Sequence, residues 1–313
     1  MNSDKLKTIN SLVKYALICF LFALNANAEE TKSDKKSKEE SQNESPSPSS
    51  VSLEFSGDSN KGRQSALALD LYLFKNTLLY LSGGSSRIVD EDNNEEEKTS
   101  TNFNLGVVSD PNALFSGGLE YDFWGLKDDL TVKTLRVPLA IKLKDWRFAL
   151  TPGSGEVELP TVVILSQPRT FSSEVTSLSY QISYSGLKNW LFKIGGANYE
   201  YEENVSALSG PIISLFFSDS TISLASGLLE RSFNLGLKYS FTDFDFGFMA
   251  SQSESAFDNQ VYNQGQIDIE YFVNEEWSLM GFLGSTRPED EDSSSDTAEK
   301  TSFLGLGFSY NWL

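Results

Sequence analysis

The last nine residues of the chain, GLGFSYNWL at positions 305–313, alternate strictly between small or polar side chains and large apolar ones. Because successive side chains of a β-strand point to opposite faces, every second residue here lies on the same face. One face of this strand is therefore apolar, formed by Leu306, Phe308, Tyr310 and Trp312. Chain termini usually fray in water, so an apolar stripe at this position requires a cover, either a second sheet or lipid.

The same alternation recurs from Val51 to the end of the chain, in short runs separated by turn residues. In each run apolar side chains occupy one face, and small, polar or charged side chains occupy the other. This pattern predicts antiparallel strands that each have one apolar face. The clearest runs cover residues 65–74, 135–143, 146–150, 177–184, 190–194, 233–241, 244–248 and 266–273.

Alternation alone does not decide between a soluble sandwich, whose apolar faces meet, and a membrane barrel, whose apolar faces contact lipid. Three features favour the barrel. Small residues mix with charges on the polar faces, aromatic residues recur near strand ends, and short turns alternate with long connections. Short turns are expected at residues 75–76, 109–113, 144–145, 185–189, 218–221, 242–243 and 274–276. Long connections are expected at residues 85–101, 151–173, 251–263 and 286–300.

The sequence therefore predicts an all-β fold for residues 51–313, a transmembrane, antiparallel, up-and-down β-barrel. The number of strands should be even, about 12 to 16, because the termini of such barrels lie at the same end. A count of all alternating runs gives about 16 candidates. The alternation is poorest in residues 157–165, 211–217 and 222–229.

The first 28 residues have the parts of a secretory signal peptide, which we expect to be cleaved before Glu29. These parts are a basic start with Lys5, Lys7 and Lys14, an apolar run at residues 15–24, and the small-residue site Ala26-Asn27-Ala28. Residues 29–50 lack apolar periodicity and are rich in Lys, Glu, Ser and Pro, which predicts a disordered periplasmic tether. Two alternatives stay open: an uncleaved membrane anchor, and a tether that binds another envelope component.

Composition limits the chemistry that the chain can perform. The chain has no histidine, and its one cysteine, Cys19, lies inside the expected signal peptide. Imidazole acid–base catalysis and zinc or copper sites are therefore implausible, and we predict neither an enzyme nor a bound cofactor. The formal net charge of −19 argues against nucleic acid as a partner.

Two acidic stretches, residues 90–95 and 289–292, are the candidates for binding hard cations. The first begins like a calcium loop, but Glu95 stands where the loop needs glycine, and Thr101 stands where it needs the closing glutamate. We therefore expect both stretches to be solvated loops. Divalent cations that bridge these loops to lipopolysaccharide phosphates remain a hypothesis.

The C-terminal pattern Gly307-x-x-Tyr310-x-Trp312 resembles the terminal signal of bacterial outer-membrane β-barrel proteins, a glycine followed by two spaced aromatic residues. It departs from that signal at Leu313, because an aromatic residue usually ends the chain. The resemblance implies an outer-membrane location, with lipid and lipopolysaccharide as surroundings. It also implies that the barrel-assembly machinery reads Gly307, Tyr310 and Trp312 as the assembly signal.

The polar faces carry charges of both signs, which are the candidates for lining the lumen of such a barrel. The acidic members are Asp70, Glu120, Asp122, Asp245, Asp268 and Glu270, and the basic members are Arg136, Lys142, Arg147, Lys193 and Lys238. They could form opposed walls of a wet pore, or pair into a network that closes the lumen. We expect Arg136, Lys142 and Arg147 to form one wall of a constriction that residues 151–173 narrow by folding inward.

These expectations lead to a porin-like barrel that allows passive diffusion of small hydrophilic solutes. The alternative is a closed structural or surface-interaction barrel that acts through acidic extracellular loops. A third interpretation, a secreted soluble β-protein, requires the apolar faces to meet each other.

Overall fold

The computed structural model describes residues 49–73, 76–90, 96–126, 130–164, 167–202, 228–256, 259–289 and 300–312. These residues form fifteen β-strands. The strands are β1 (Ser49–Asp58), β2 (Arg63–Leu73), β3 (Thr77–Asp90), β4 (Glu96–Ser109), β5 (Phe115–Leu126), β6 (Leu130–Arg136), β7 (Leu139–Leu143), β8 (Trp146–Ile164), β9 (Gln167–Tyr184), β10 (Trp190–Tyr201), β11 (Leu229–Ser240), β12 (Phe244–Ser255), β13 (Val261–Phe272), β14 (Trp277–Pro288) and β15 (Thr301–Trp312).

The strands close into a single antiparallel barrel, because β1 pairs with both β2 and β15. Strands β6 and β7 share one place in the circuit, between β5 and β8, so the barrel has 14 strand positions. The predicted all-β, up-and-down barrel with an even strand number is confirmed. Among the described residues no helix is long and apolar enough to cross a bilayer.

The interruption between β6 and β7 is caused by Val137 and Pro138. Proline has no N–H and cannot donate to the strand ladder. The neighbouring backbone groups still find partners: the Val137 N–H donates to the Pro152 carbonyl oxygen (2.9 Å), and the Gly118 N–H donates to the Pro138 carbonyl oxygen (2.8 Å). The broken strand therefore keeps its place in the barrel.

The two ends of the barrel differ. One end, the short-turn rim, carries Ser49, Trp312, the facing ends of β2 and β3 at Leu73 and Thr77, and the connections at residues 110–114, 144–145, 185–189, 241–243 and 273–276. Five of the seven predicted short turns lie there, and the turn at residues 218–221 and Lys75 of the turn at residues 75–76 lie outside the described residues. The other end is the long-hairpin rim, where β8 and β9 extend to Ile164 and Gln167.

Large apolar side chains face outward around the barrel. Leu306 and Leu304, for example, are 66% and 61% exposed on the isolated chain. Near the short-turn rim a row of aromatic rings runs from Trp146 on β8 to Phe244 on β12, with successive centroids 4.2–6.4 Å apart. An apolar exterior with an aromatic girdle is the pattern of a membrane-spanning barrel. The apolar faces do not meet each other, so the soluble-sandwich interpretation is wrong.

The outer face changes character toward the long-hairpin rim. On β8 the outward positions run from Trp146, Phe148 and Leu150 to Glu156 and Glu158. The apolar band on β15, from residue 304 to residue 312, is about 20 Å tall for a strand tilted by about 40°. The barrel therefore projects beyond the bilayer at the long-hairpin rim.

The inner face changes in the opposite sense over the same stretch. Beyond the bilayer it becomes apolar, and it forms a packed group that we name the distal cluster. Its buried members are Trp124, Leu126, Leu130, Val157, Val175 and Leu228, and Val132, Tyr199 and Tyr201 pack against them. This part of the barrel thus has polar residues outside and apolar residues inside, as a water-soluble β-structure does.

Residues 151–173, predicted to be a long loop, are mostly strand, and this prediction was wrong. Gly153 to Glu158 pair with β6, so this segment is barrel wall and does not fold inward, and the strand residues between 159 and 171 pair with each other at the end of the β8–β9 hairpin. The long connections predicted at residues 85–101 and 251–263 are likewise largely strand. The alternation that marks a lipid-facing strand is lost here, because above the membrane the outer face is polar.

Several predicted features lie outside the described residues. They are the signal peptide at residues 1–28, residues 29–48 of the tether, the candidate strands at 211–217 and 222–227, and the acidic residues 91–95 and 290–292. Strand β1 begins at Ser49, slightly before the expected start of the barrel.

Candidate functional site in the barrel lumen

The lumen is wide enough to hold water. Fourteen strands about 4.8 Å apart and tilted by about 40° give a barrel about 28 Å across between opposite backbones. Eight-stranded barrels are filled by their own side chains, and larger ones enclose space. The inner face along the membrane-spanning part is mostly polar, so the candidate site is the lumen wall.

The strand registers place all the predicted lumen residues on the inner face, opposite the lipid-exposed apolar positions. The acidic side chains there are Asp70, Glu120, Asp122, Asp245, Asp268 and Glu270, and the basic ones are Arg136, Lys142, Arg147, Lys193 and Lys238. That they line a conducting pore stays a prediction. The structure also shows which of these side chains contact each other.

Arg136 is the centre of the first ion-pair network, which lies midway along the wall. Its Nη1 is 2.9 Å from Asp122 Oδ2 and 3.3 Å from Glu120 Oε1. The Tyr80 hydroxyl donates to Glu120 Oε2 (2.6 Å), and Asn104 Nδ2 donates to Asp122 Oδ1 (2.6 Å) and to Glu120 Oε1 (2.9 Å). Two carboxylates therefore share one guanidinium and two neutral donors.

Glycines make room for this network. A Cβ at position 153 would lie 3.0 Å from Arg136 Cγ, and a Cβ at position 106 would overlap the Tyr80 ring. Gly153 is the register partner of Arg136, and Gly106 is the register partner of both Tyr80 and Glu120. The bulky inner side chains of β3 and β6 thus fit because the neighbouring strands have no side chain beside them.

Lys238 is the centre of a second network, near the short-turn rim. It forms an ion pair with Asp245, which is 7% exposed, and its Nζ is 3.8 Å from Glu270 Oε2. Glu270 Oε1 accepts a hydrogen bond from the Ser278 hydroxyl (2.7 Å). Asp268 lies on the same strand as Glu270 and packs over Gly247, where a Cβ would overlap its carboxylate.

The inner charges without an ion pair among the described residues include Asp268 on β13 and two groups on opposite sides of the lumen. Lys142, Arg147 and Lys193 stand on β7, β8 and β10, and we name them the basic arc. Glu54 and Asp70 stand on β1 and β2, and we name them the acidic arc. The two arcs lie on opposite sides of the strand circuit.

The expected wall of Arg136, Lys142 and Arg147 is only partly assembled. Lys142 and Arg147 are register partners across β7 and β8. Arg136, however, is six residues from Lys142, about 20 Å along the strand direction, and it lies beside Glu120 and Asp122 instead. Sequence spacing could not show this, because it says which face a residue occupies but not which residue of the next strand lies beside it.

The sequence reasoning missed three residues of the lumen wall. Glu54 lies between the outward-facing Leu53 and Phe55 on β1, so the alternation in VSLEF at residues 51–55 was enough to predict that Glu54 faces inward. Tyr80 and Asn104 complete the Arg136 network, and no charge marked them. Among the described residues no group of three His, Cys, Asp or Glu side chains could hold a metal ion.

Two cavities along the described part of the lumen wall are candidates for holding a solute. One, of 400 Å³, lies between β1, β2 and β13–β15 and is lined by Glu54, Ser56, Gln64, Ala66, Gln264, Gln266, Asp268, Met280, Phe282 and Phe303. The other, of 180 Å³, lies on the opposite side, between the Arg136 network and the distal cluster. The first offers amide and carboxylate groups to a polar solute, and the second combines aromatic and charged groups.

Comparison with known proteins gives likeness in fold and none in sequence. No protein-family model and no curated protein sequence matches the chain. Among solved structures, a Pseudomonas aeruginosa FadL homologue aligns with a TM-score of 0.53 at 7% identity, over 85% of this chain and 90% of that one.

Two other solved structures align less closely. A KdgM porin in complex with disordered oligogalacturonate aligns with a TM-score of 0.41 at 8% identity, over 84% of this chain and 99% of that one. Pseudomonas aeruginosa OccK3 (OpdO) aligns with a TM-score of 0.40 at 12% identity, over 85% of this chain and 95% of that one. The chain thus has the fold of bacterial outer-membrane β-barrels.

Proposed function

We propose that the chain is a porin-like protein of the bacterial outer membrane that lets small hydrophilic solutes diffuse through its lumen. The proposal needs neither catalysis nor a cofactor. It follows from the lumen wall, because the apolar exterior only anchors the barrel in lipid. The fold shared with the solved outer-membrane barrels supports the location.

The observation that carries the proposal is the pair of unpaired charge arcs. Charges of opposite sign that remain buried in a dry interior cost several kcal/mol each unless they pair. The two arcs have opposite charges but form no ion pair with each other. The basic arc consists of Lys142, Arg147 and Lys193, and the acidic arc consists of Glu54 and Asp70. Water between them accounts for this arrangement, and a water-filled lumen is a route for hydrophilic solutes.

The 400 Å³ cavity supports the same solute class. Gln64, Gln264 and Gln266 present amide groups, which donate and accept hydrogen bonds, and Glu54 and Asp268 accept them. Phe282 and Phe303 add apolar surface on the same side. Such a wall exchanges hydrogen bonds with a hydrated solute as it passes, and it does not demand a particular one.

One observation favours the alternative, a closed barrel that acts at the cell surface. The distal cluster places packed apolar side chains inside the barrel wall beyond the bilayer, next to the fully buried Val157. If these side chains seal the lumen, small solutes cannot pass and the acidic extracellular loops become the working part. The Arg136 and Lys238 networks are also what a closed lumen requires.

Single-channel conductance separates the two functions. Residues 29–313 are refolded into detergent, folding is verified by a heat-dependent shift in gel mobility, and the barrel is added to a planar bilayer. Discrete current steps are the expected result. A correctly folded barrel that conducts no ions would contradict the diffusion channel and favour the closed barrel.

Permeation of uncharged solutes is the second measurement. Proteoliposomes that contain the barrel should swell in isotonic solutions of small sugars, and the swelling rate should fall as solute size increases. Liposomes with the heat-denatured protein are the control. Conductance without any size-dependent swelling would limit the function to ions.

We also propose that lipid and lipopolysaccharide surround the apolar band, and that the barrel-assembly machinery inserts the chain. The support is the aromatic girdle at the short-turn rim and the C-terminal pattern with Gly307, Tyr310 and Trp312. These two aromatic side chains lie at the end of β15, where the barrel closes against β1.

A further inference from the structure

The 180 Å³ cavity beside the Arg136 network has two chemically different halves. One half is aromatic and aliphatic, with Trp124, Tyr199, Tyr201, Val132 and Val175. The other half is polar, with Asn104, Asp122 and Arg136. A ligand that fills it must therefore have an apolar body and a polar or charged group at one end.

The volume limits the apolar body to about one ring. An apolar cavity of about 150 Å³ admits a benzene molecule. The cavity here is 180 Å³, and part of it borders the polar half. A single aromatic ring with a short side arm fits this space, and a long acyl chain does not.

The charge around the polar half favours a cation. Asp122 and Glu120 carry two negative charges, and Arg136 is the one cation that pairs with them among the described residues. The other two groups that bind the carboxylates, Tyr80 and Asn104, are neutral donors. The network thus keeps an excess of one negative charge beside the cavity.

The apolar half has the same preference. The faces of Trp and Tyr rings attract cations through the ring quadrupole, and three such rings line the cavity. The field of a chain with a formal net charge of −19 also concentrates cations near its surface. Among the described residues that line the cavity, Arg136 is the one cation, and it already lies between two carboxylates, so the lining does not favour an anionic ligand.

We propose that this cavity is a binding subsite for a small aromatic amine. Its ammonium group contacts the Asp122 carboxylate, and its ring packs against Trp124, Val132 and Tyr199. The subsite lies between the Arg136 network and the distal cluster, on the path of a solute that enters the barrel from the long-hairpin rim. It goes beyond the diffusion channel proposed above, because binding requires a folded barrel but no conduction.

Isothermal titration of the refolded barrel in detergent micelles tests the subsite with 2-phenylethylamine as the probe. The neutral 2-phenylethanol and the anionic 3-phenylpropionate have similar size and serve as comparisons, and empty micelles correct for partitioning. We expect saturable binding of the amine, at least tenfold weaker binding of the alcohol, and no binding of the acid. Equal binding of all three would overturn the proposal, as would preference for the acid.

Matched variants locate the binding. Asp122→Asn should weaken amine binding about tenfold, and Trp124→Leu, which keeps all the charges, should weaken it as well. Asp245→Asn makes the same change in net charge at the Lys238 network, away from the cavity, and should leave the affinity unchanged. An equal loss with Asp122→Asn and Asp245→Asn would show a general field effect and overturn the subsite.

The outcome is separable from that of the diffusion channel. Amine binding to a barrel that conducts no ions would contradict the channel and leave the subsite standing. Conductance without saturable amine binding would overturn the subsite alone. When both hold, the amine should reduce single-channel current in wild type and not in the Asp122→Asn variant.

Discussion

Lys193 on β10 and Asp70 on β2 are seven strand positions apart in either direction around the barrel, so they stand on opposite sides of the lumen. Each is three residues from the end of its strand at the short-turn rim, at Trp190 and Leu73 respectively. They are therefore at similar depth. Because neither has an ion-pair partner among the described residues, an electric field crosses the lumen at this level.

Neutralising one side of this field should change the ion selectivity of the channel. With Lys142, Arg147 and Lys193 all changed to Gln, the acidic side chains dominate the lumen, and the cation-to-anion permeability ratio should rise roughly twofold or more. Glu54→Gln combined with Asp70→Asn should lower the ratio. The reversal potential across a bilayer with a KCl gradient measures both changes.

Arg231→Gln is the control for this experiment. Arg231 is paired with Glu254 on the outer face near the long-hairpin rim, so its loss changes net charge without changing the lumen wall. We expect no shift in reversal potential. Identical shifts in this variant and in the triple variant would mean that total charge sets selectivity, and the opposed arcs would then have no role.

Arg136 and Lys133 should contribute differently to stability. Arg136→Gln leaves Glu120 and Asp122 side by side without a cation, and their side chains are only 15% and 24% exposed. We expect a loss of about 1–3 kcal/mol in the free energy of unfolding. Lys133 and Glu158 form an ion pair on the outer face and are 40% and 38% exposed, so water screens this pair and Lys133→Gln should change the stability much less.

Urea unfolding of the two variants in the same detergent, followed by tryptophan fluorescence, measures the difference. Equal losses would contradict the assignment of Arg136 to a partly dry network. Such a result would indicate that water reaches the Arg136 network as freely as it reaches the exposed Lys133–Glu158 pair.

The faces of the strands were predictable from the sequence, and the neighbours of each side chain were not. Alternation placed Asp70, Arg136 and Lys193 on the inner face, because a period of two requires only the local chain. The partners of Arg136 follow from the register between β5 and β6. Register depends on turns and on packing of the whole barrel, which a local pattern does not contain.

The distal cluster was missed for a different reason. The prediction assumed the same orientation along the whole of each strand, with apolar residues facing outward and polar residues facing inward. Trp124, Leu126 and Val157 are apolar residues that face inward, because the barrel there is beyond the bilayer and must bury apolar side chains from water. The same change made residues 151–173 look like a loop, although they are mostly strand.

Gly155 should tolerate no side chain. A Cβ at this position would overlap the Lys133 carbonyl oxygen and lie 2.8 Å from Thr134 Cα, and neither backbone atom can move without breaking the β6–β8 pairing. Gly155→Ala should therefore destabilise the barrel by about 1–3 kcal/mol. Gly265→Ala is the matched control, because nothing lies within 4 Å of the added Cβ, and it should change stability by less than about 0.5 kcal/mol. The urea midpoints of both variants give the comparison, and equal midpoints would contradict the close approach of β6 and β8.

The two aromatic side chains at the C-terminus should matter more for assembly in cells than for folding in vitro. Tyr310 packs on Trp277 (centroids 4.6 Å apart) and stacks on Trp312 (6.0 Å). Losing such ring contacts costs about 0.5–1.5 kcal/mol per pair, which a barrel of this size should tolerate when it refolds alone. If the assembly machinery reads Tyr310 and Trp312, their joint change to Ser should greatly reduce the heat-modifiable protein in the outer-membrane fraction.

Trp190 and Tyr239 provide the matched control for that prediction. They form an equivalent ring pair, 4.7 Å apart, in the same girdle on β10 and β11, and they lie far from the C-terminus in sequence. Changing both to Ser should affect refolding in detergent about as much as the C-terminal change, because both variants lose stacked rings at the membrane interface. The two variants should differ only in cells, where the control should still assemble. If both assemble equally poorly, the C-terminal residues act as ordinary girdle residues and the assembly signal is not located there.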